Sequence, residues 1–174
     1  MRKFLLILFF SINLYSIDNK PNIIIILTDD LGWGDVSYNG GPIPTPNIDS
    51  IAFNGANIIN GYVSFPVCSP SRAGFITGRY QDRFGYTTNP TIDPTNDSAG
   101  LPLNQMTMAE MLKTKGYKSA IIGKWHLGWN WGLIDSSYYE DRVDIEKIDF
   151  NKEITHSPNA VSYTHLTLPT NREV

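Results

Sequence analysis

The chain has 174 residues, of which 41% are hydrophobic and 18% charged, and its net charge is −3. That balance suits one globular domain or a piece of a larger one, and it excludes a disordered or fibrous chain. Lys and Arg are scattered and form no basic stripe, so nothing marks a nucleic-acid partner.

Residues 1–16 read as a secretory signal peptide. Arg2-Lys3 is a positive head, residues 4–10 are a compact apolar run, and residues 11–16 turn polar where cleavage would fall. The apolar run is too short for a stable membrane span, and the competing reading is an uncleaved anchor. The expected location is therefore secreted or periplasmic. In that compartment the single cysteine, Cys68, cannot form an internal disulfide. It is either a small buried hydrophobe or a residue with chemistry of its own.

Residues 22–27 are a continuous β-branched apolar run, the pattern of a parallel strand covered on both faces. The run stops at Asp29-Asp30, and two carboxylates at the C-terminal end of such a strand lie where α/β sheets place ligands. Pro46 at a first helical position after Thr45 predicts a helix with Ile48, Ile51 and Ala52 as its buried stripe and Gly55 as its stop. Residues 56–63 read as a second strand. Residues 64–67 are a loop, and Pro70 in a first turn predicts a short helix over 71–77 before Gly78, with Cys68 at its N-terminus. Free N–H groups and the positive end of the helix dipole favour an anion there.

Residues 81–102 are rich in Pro, Thr, Asn and Gly and read as a long surface loop. Thr107-Met108-Ala109-Glu110 is a capping-box pattern that opens a helix running to Lys115, with Gly116 as its stop. Residues 119–122 are another buried strand, which ends in Gly123-Lys124-Trp125-His126-Leu127-Gly128. Alternating strands and helices in this order give an α/β fold with a mostly parallel sheet flanked by helices. Periodicity fades after Trp129, and residues 156–174 read as a tail that is non-native or disordered, so His165 carries no functional weight.

Several weaker patterns compete for attention. Gly32-Trp33-Gly34 is half of a dinucleotide fingerprint, with Ser37 where the third glycine would stand. Three scattered His and one Cys give no zinc spacing. Asn96-Asp97-Ser98 is a glycosylation triplet, which is common by chance. Trp125, Trp129 and Trp131 suit either a sugar-binding cleft or a core.

Cys68-Ser69-Pro70-Ser71-Arg72 resembles the C-x-P-S-R signature of type I sulfatases, members of the alkaline-phosphatase-like superfamily. The segment from Pro21 to Asp30 with Gly32, the block Pro44-Thr45-Pro46-Asn47-Ile48-Asp49, Ala73 with Thr77-Gly78-Arg79, and residues 123–128 are similar to other family blocks, in the family's order. The resemblance spans roughly residues 21–128. It makes residues 21–155 part of an N-terminal sulfatase catalytic domain and the chain an N-terminal fragment.

The resemblance implies that a separate maturation enzyme oxidises Cys68 to Cα-formylglycine. The hydrated aldehyde is then the nucleophile toward sulfur, and its second hydroxyl gives an internal route for expelling sulfate. Asp29 and Asp30 are hard oxygen donors suited to Ca²⁺, with Mg²⁺ also possible, and in the family such a pair binds Ca²⁺ alongside the residue at position 68. An isolated Asp pair is more often a turn or a helix cap. By the same resemblance Arg72 steadies the diol, Lys124 contacts the sulfate and His126 hydrogen-bonds the diol as a proton carrier. Each of the three would otherwise be read as a structural or surface residue.

The family also uses a later Asp-Asn or Asp-Gln pair, a second His and a second Lys, and none of these has a match in this sequence. The 174-residue chain alone is therefore expected to fold poorly and to have little activity. The function expected of the whole protein is hydrolysis of a sulfate ester, on a sulfated carbohydrate or an aryl sulfate. The alternatives are a formylglycine-dependent phosphonate or phosphodiester hydrolase, since both substrates are tetrahedral anions, and an inactive binding fragment.

Overall fold

A computed structural model of the chain describes residues 20–90, 100–129, 132–134, 145–152, 154 and 156–167. The leader at 1–16, the triplet at Asn96-Asp97-Ser98, Trp131 and residues 168–174 lie outside the described residues. The chain divides into two units, Met1–Ile59 and Asn60–Val174.

In the first unit, residues 22–27 form no strand and are exposed, Ile24 to 84%. This corrects the expectation of a buried strand. The residues have the right propensity, but a central strand exists only when neighbours pair its backbone groups, and among the described residues none does. Residues 56–63 are likewise unpaired and exposed. Two 3-10 turns follow the acidic pair, Trp33–Asp35 and Ser37–Asn39. The Gly32 N–H donates to Asp35 Oδ2 at 2.7 Å.

Helix α1, Pro46–Asn54, starts as its proline predicts, with Gly55 at its end. Its expected buried stripe is not buried, because Ile48 and Ile51 are both exposed. Polar contacts fix α1 instead. Asp49 accepts from Ser37 Oγ at 2.6 Å, from Thr45 Oγ1 at 2.7 Å and from the Tyr38 N–H at 3.2 Å. Thr45 thus bonds Asp49 and Ser37 while making no side-chain cap on its own helix.

The second unit holds α2 (Cys68–Thr77), α3 (Met108–Lys113), β1 (Ser119–Ile122) and β2 (Tyr163–Thr167). Helix α2 begins three residues earlier than expected, so Cys68 is its first residue, and it ends at Gly78 in the left-handed region. Helix α3 carries the full capping box. The Thr107 N–H donates to Glu110 Oε2 at 2.7 Å, and Thr107 Oγ1 accepts from the Glu110 N–H at 3.3 Å.

Strand β1 pairs in parallel with β2, in the α/β class expected. It is half-exposed rather than buried. Its partner, Tyr163–Thr167, comes from the segment expected to be a non-native or disordered tail. Val161 and Tyr163 join Ala73, Ile76, Tyr86, Leu101, Ala109, Trp125 and Leu127 in one apolar cluster. This core lies directly behind α2 and the loop after β1. Among the described residues no helix is long and apolar enough to cross a membrane.

Candidate active site

Four of the six residues singled out by sequence lie in the second unit, on two structural pieces. Cys68 and Arg72 are on α2, and Lys124 and His126 are on the loop that leaves β1. Asp29 and Asp30 belong to the first unit and are described within it.

Cys68 is a free, exposed thiol on the first residue of α2. Its neighbour Ser69 is fully buried. The N-cap residue is Val67, whose side chain offers no acceptor to the first turn. The next turn position with a capping role is Pro70, which has no N–H. The Ser69 N–H, one of the first-turn donors without an intrahelical acceptor, goes to Asn89 Oδ1 at 3.2 Å. The Ser69 hydroxyl is paired with the Tyr86 hydroxyl at 2.8 Å in a buried contact. Burial pushes the Tyr86 phenol above its ordinary value, and the bond to Ser69 offsets part of that rise.

Upstream, Gln81 Nε2 donates to the Ser64 carbonyl at 3.3 Å and so holds the loop that enters α2. Gly74, on the inner face of α2, packs against Ser64 Oγ, which a Cβ there would displace. Residues 81–90 are therefore more than a surface loop, because Gln81 and Tyr86 are buried against the helix that carries Cys68.

The loop at 123–128 alternates its side chains. Trp125 and Leu127 are buried, while Lys124 is exposed and His126 half-buried. Three of its carbonyls accept identified donors: Lys124 from Arg72 Nη1 at 2.9 Å, Leu127 from the Leu101 N–H at 2.8 Å, and Gly128 from Trp125 Nε1 at 2.8 Å. Trp125 also meets the Tyr163 ring edge-on at 6.2 Å. It is a core anchor and not a cleft wall, and Trp129 packs against the same core. Gly123 and Gly128 have φ of 105° and 88°, and His126 shares that left-handed region with φ 53°. A side chain there is strained, and its place in this loop is held by the buried residues on either side.

Asp29 and Asp30 offer hard carboxylate oxygens, the donor chemistry of Ca²⁺ or Mg²⁺. Ca²⁺ takes six or more oxygens. Among the described residues no group of three His, Cys, Asp or Glu side chains converges as a metal site would require. The pair thus fits a hard cation in the kind of its donor atoms.

Comparison with known proteins decides the family. The Sulfatase family model matches residues 21–156. This chain belongs to the sulfatase family. Human steryl-sulfatase is 45% identical over 114 residues, a stretch covering 63% of this chain and 20% of that protein. Rat arylsulfatase G is 44% identical over 120 residues, covering 68% and 22%. Mouse N-acetylgalactosamine-6-sulfatase is 45% identical over 114 residues, covering 62% and 22%. The crystal structure of Ps i-CgsB superposes with a TM-score of 0.62 at 32% identity, covering 84% of this chain and 27% of that one. The sulfatase chain described here spans about a fifth of the length of the curated relatives it matches.

The residues that sequence reasoning missed are Ser69, Tyr86, Asn89 and Gln81. One signal was present: Val67 before the helix and Pro70 within its first turn leave the Ser69 N–H to find a partner from elsewhere. Nothing local names Asn89 as that partner.

Proposed function

We propose that the whole protein hydrolyses sulfate esters, with residue 68 as the source of the nucleophile. One observation carries the reading. In a member of the sulfatase family, an exposed Cys68 opens α2 while Arg72, one turn later, binds the loop bearing Lys124 and His126.

Conversion of Cys68 to Cα-formylglycine would supply a hydrated aldehyde as nucleophile and a route for sulfate release. The exposed position of Cys68 suits both modification and attack. Asp29 and Asp30 would hold a divalent cation, with Ca²⁺ preferred and Mg²⁺ possible, together with oxygen ligands beyond those described. Lys124 is an exposed residue whose ammonium would bind a sulfate oxygen as a point charge. His126 supplies an imidazole, a group able to carry a proton, and would move one at the oxygen of the hydrated aldehyde at position 68. Arg72 keeps Lys124 and His126 in register with α2.

The substrate class we infer is a sulfated carbohydrate or an aryl sulfate. Its support is the company the chain keeps: relatives named arylsulfatase G and N-acetylgalactosamine-6-sulfatase, and Ps i-CgsB solved in complex with k-i-k-neocarrahexaose, which matches at 29% identity and a TM-score of 0.57. The leader sequence supports export to the periplasm or exterior, and a formylglycine-generating enzyme is the implied partner.

The test is mass spectrometry of the peptide spanning Cys68 after co-expression with a maturation enzyme, coupled to turnover of aryl sulfate and aryl phosphate by the whole protein. Aldehyde at position 68 and a preference for sulfate are expected. An unmodified thiol, or activity retained by Cys68→Ala, would end this reading. Preferential phosphate-ester cleavage would move the protein to the phosphodiester branch of the superfamily.

A further inference from the structure

We propose that Tyr86 and Asn89 are positioning residues for residue 68, fixing the first turn of α2 so that one side chain is pinned inside and the next is presented outward. The inference rests on the reading of residue 68 as the reacting group.

Adjacent residues on a helix are separated by about 100° of rotation. Anchoring Ser69 therefore sets the direction in which residue 68 points. Ser69 is anchored twice. Its hydroxyl meets the Tyr86 hydroxyl at 2.8 Å inside the core, and its N–H is taken by Asn89 Oδ1 at 3.2 Å. The two anchors hold different atoms of Ser69. Val67 provides no side-chain cap, Pro70 has no N–H, and the Ser71 N–H is already bonded to the Val67 carbonyl at 3.1 Å. Asn89 acts as a helix cap delivered from 20 residues away.

The segment that brings both residues is itself braced. Gly85 turns the chain at φ 74°, and the Tyr86 N–H returns to the Gln81 carbonyl at 3.1 Å. Gln81 in turn holds Ser64, at the other end of the entry loop. Ser69 is thus gripped from the strip at 81–89, while Cys68 beside it stays exposed. No hydrogen bond joins Tyr86 or Asn89 to residue 68 itself, so their action runs through Ser69.

The experiment compares Asn89→Ala, Asn89→Asp and Tyr86→Phe with the parent. Amide exchange at Ser69 should quicken about tenfold in Asn89→Ala, the worth of one ordinary hydrogen bond. In the whole, matured protein kcat should fall about tenfold with KM within about twofold. Asn89→Asp, which keeps an acceptor, should restore both, and Tyr86→Phe should lower kcat with its far-ultraviolet circular dichroism unchanged. Unchanged Ser69 exchange and kcat in Asn89→Ala would overturn the proposal. So would a rise in KM alone, which would make Asn89 a substrate contact.

A second measurement separates this inference from the sulfatase reading. Cys68 is the sole thiol, so its alkylation rate reports on the pose of residue 68 without any turnover. A change of about threefold or more in Asn89→Ala, reversed in Asn89→Asp, supports positioning even if no sulfate ester is cleaved. An unchanged rate in a folded variant rejects it even if sulfatase activity is found.

Discussion

Arg72 Nη1 donates to the main-chain carbonyl of Lys124 at 2.9 Å, joining residues 52 apart in sequence. This bond carries the C-x-P-S-R helix and the 123–128 loop as one unit. It fixes Lys124 through its backbone, and Lys124 as a residue is exposed. In Arg72→Lys the planar fork is lost, and a flexible ammonium cannot reproduce its geometry. Turnover by the matured protein should fall about 100-fold or more. Unfolding free energy should move by no more than about 1 kcal/mol, because the bond is solvent-exposed. Paired urea melts and kinetics check both, and a loss of stability larger than the loss of turnover implies would assign Arg72 to the fold instead.

His126 sits at φ 53°, where a side chain costs about 1–2 kcal/mol relative to glycine. His126→Gly relieves that cost while removing the imidazole and its packing. The expected outcome is a stability within about 1 kcal/mol of the parent and turnover reduced about 100-fold or more. A variant that keeps its activity would mean the imidazole handles no proton.

The Asp49 carboxyl is held below its ordinary value, chiefly by the Ser37 hydroxyl, then by Thr45 and the Tyr38 N–H. A depressed carboxyl contributes stability above its unfolded pKa and loses it as the pH falls through the lower, folded value. The first unit should therefore lose stability below about pH 4. Asn at position 49 should abolish that part of the acid response while weakening the link from 37–38 to α1 at neutral pH. Acid titration followed by the exposed Trp33 of that unit reads it. An acid profile identical in Asp49→Asn would show that other carboxyls govern the transition.

Residues 22–27 present Ile23, Ile24, Ile25, Ile26 and Leu27 exposed. An unpaired β-branched run of that kind binds hydrophobic probes and templates association. The 174-residue chain alone should bind anilinonaphthalene sulfonate and sediment as oligomers, and Ile24→Lys with Ile26→Lys should lower both. A monomeric parent that leaves the dye dark would refute this.

Local rules read well wherever a device closes within a few residues. Pro46 opened α1, the Thr107–Glu110 box opened α3, Gly78 ended α2, and Cys68 stood at a helix N-terminus as its motif indicated. The same rules misread residues 22–27 and 56–63, whose strand signals are sound but whose partners are not local. The matched relatives are about three times as long as this chain, and strand pairing draws on remote sequence that a local reading cannot supply. Trp125 shows the opposite case. Its sequence left a cleft and a core equally open, and packing against Tyr163 made it core.

By itself the sequence determined the family blocks and the α/β class and singled out Cys68 as the candidate reacting residue, because residue type and spacing carry chemistry and helix caps act locally. Only the tertiary structure decided how Cys68 is aimed. Ser69 is pinned by Tyr86 and Asn89, and Arg72 is bonded to Lys124. Those contacts join residues 17 to 52 positions apart, and only the folded chain brings such donors and acceptors within hydrogen-bonding distance.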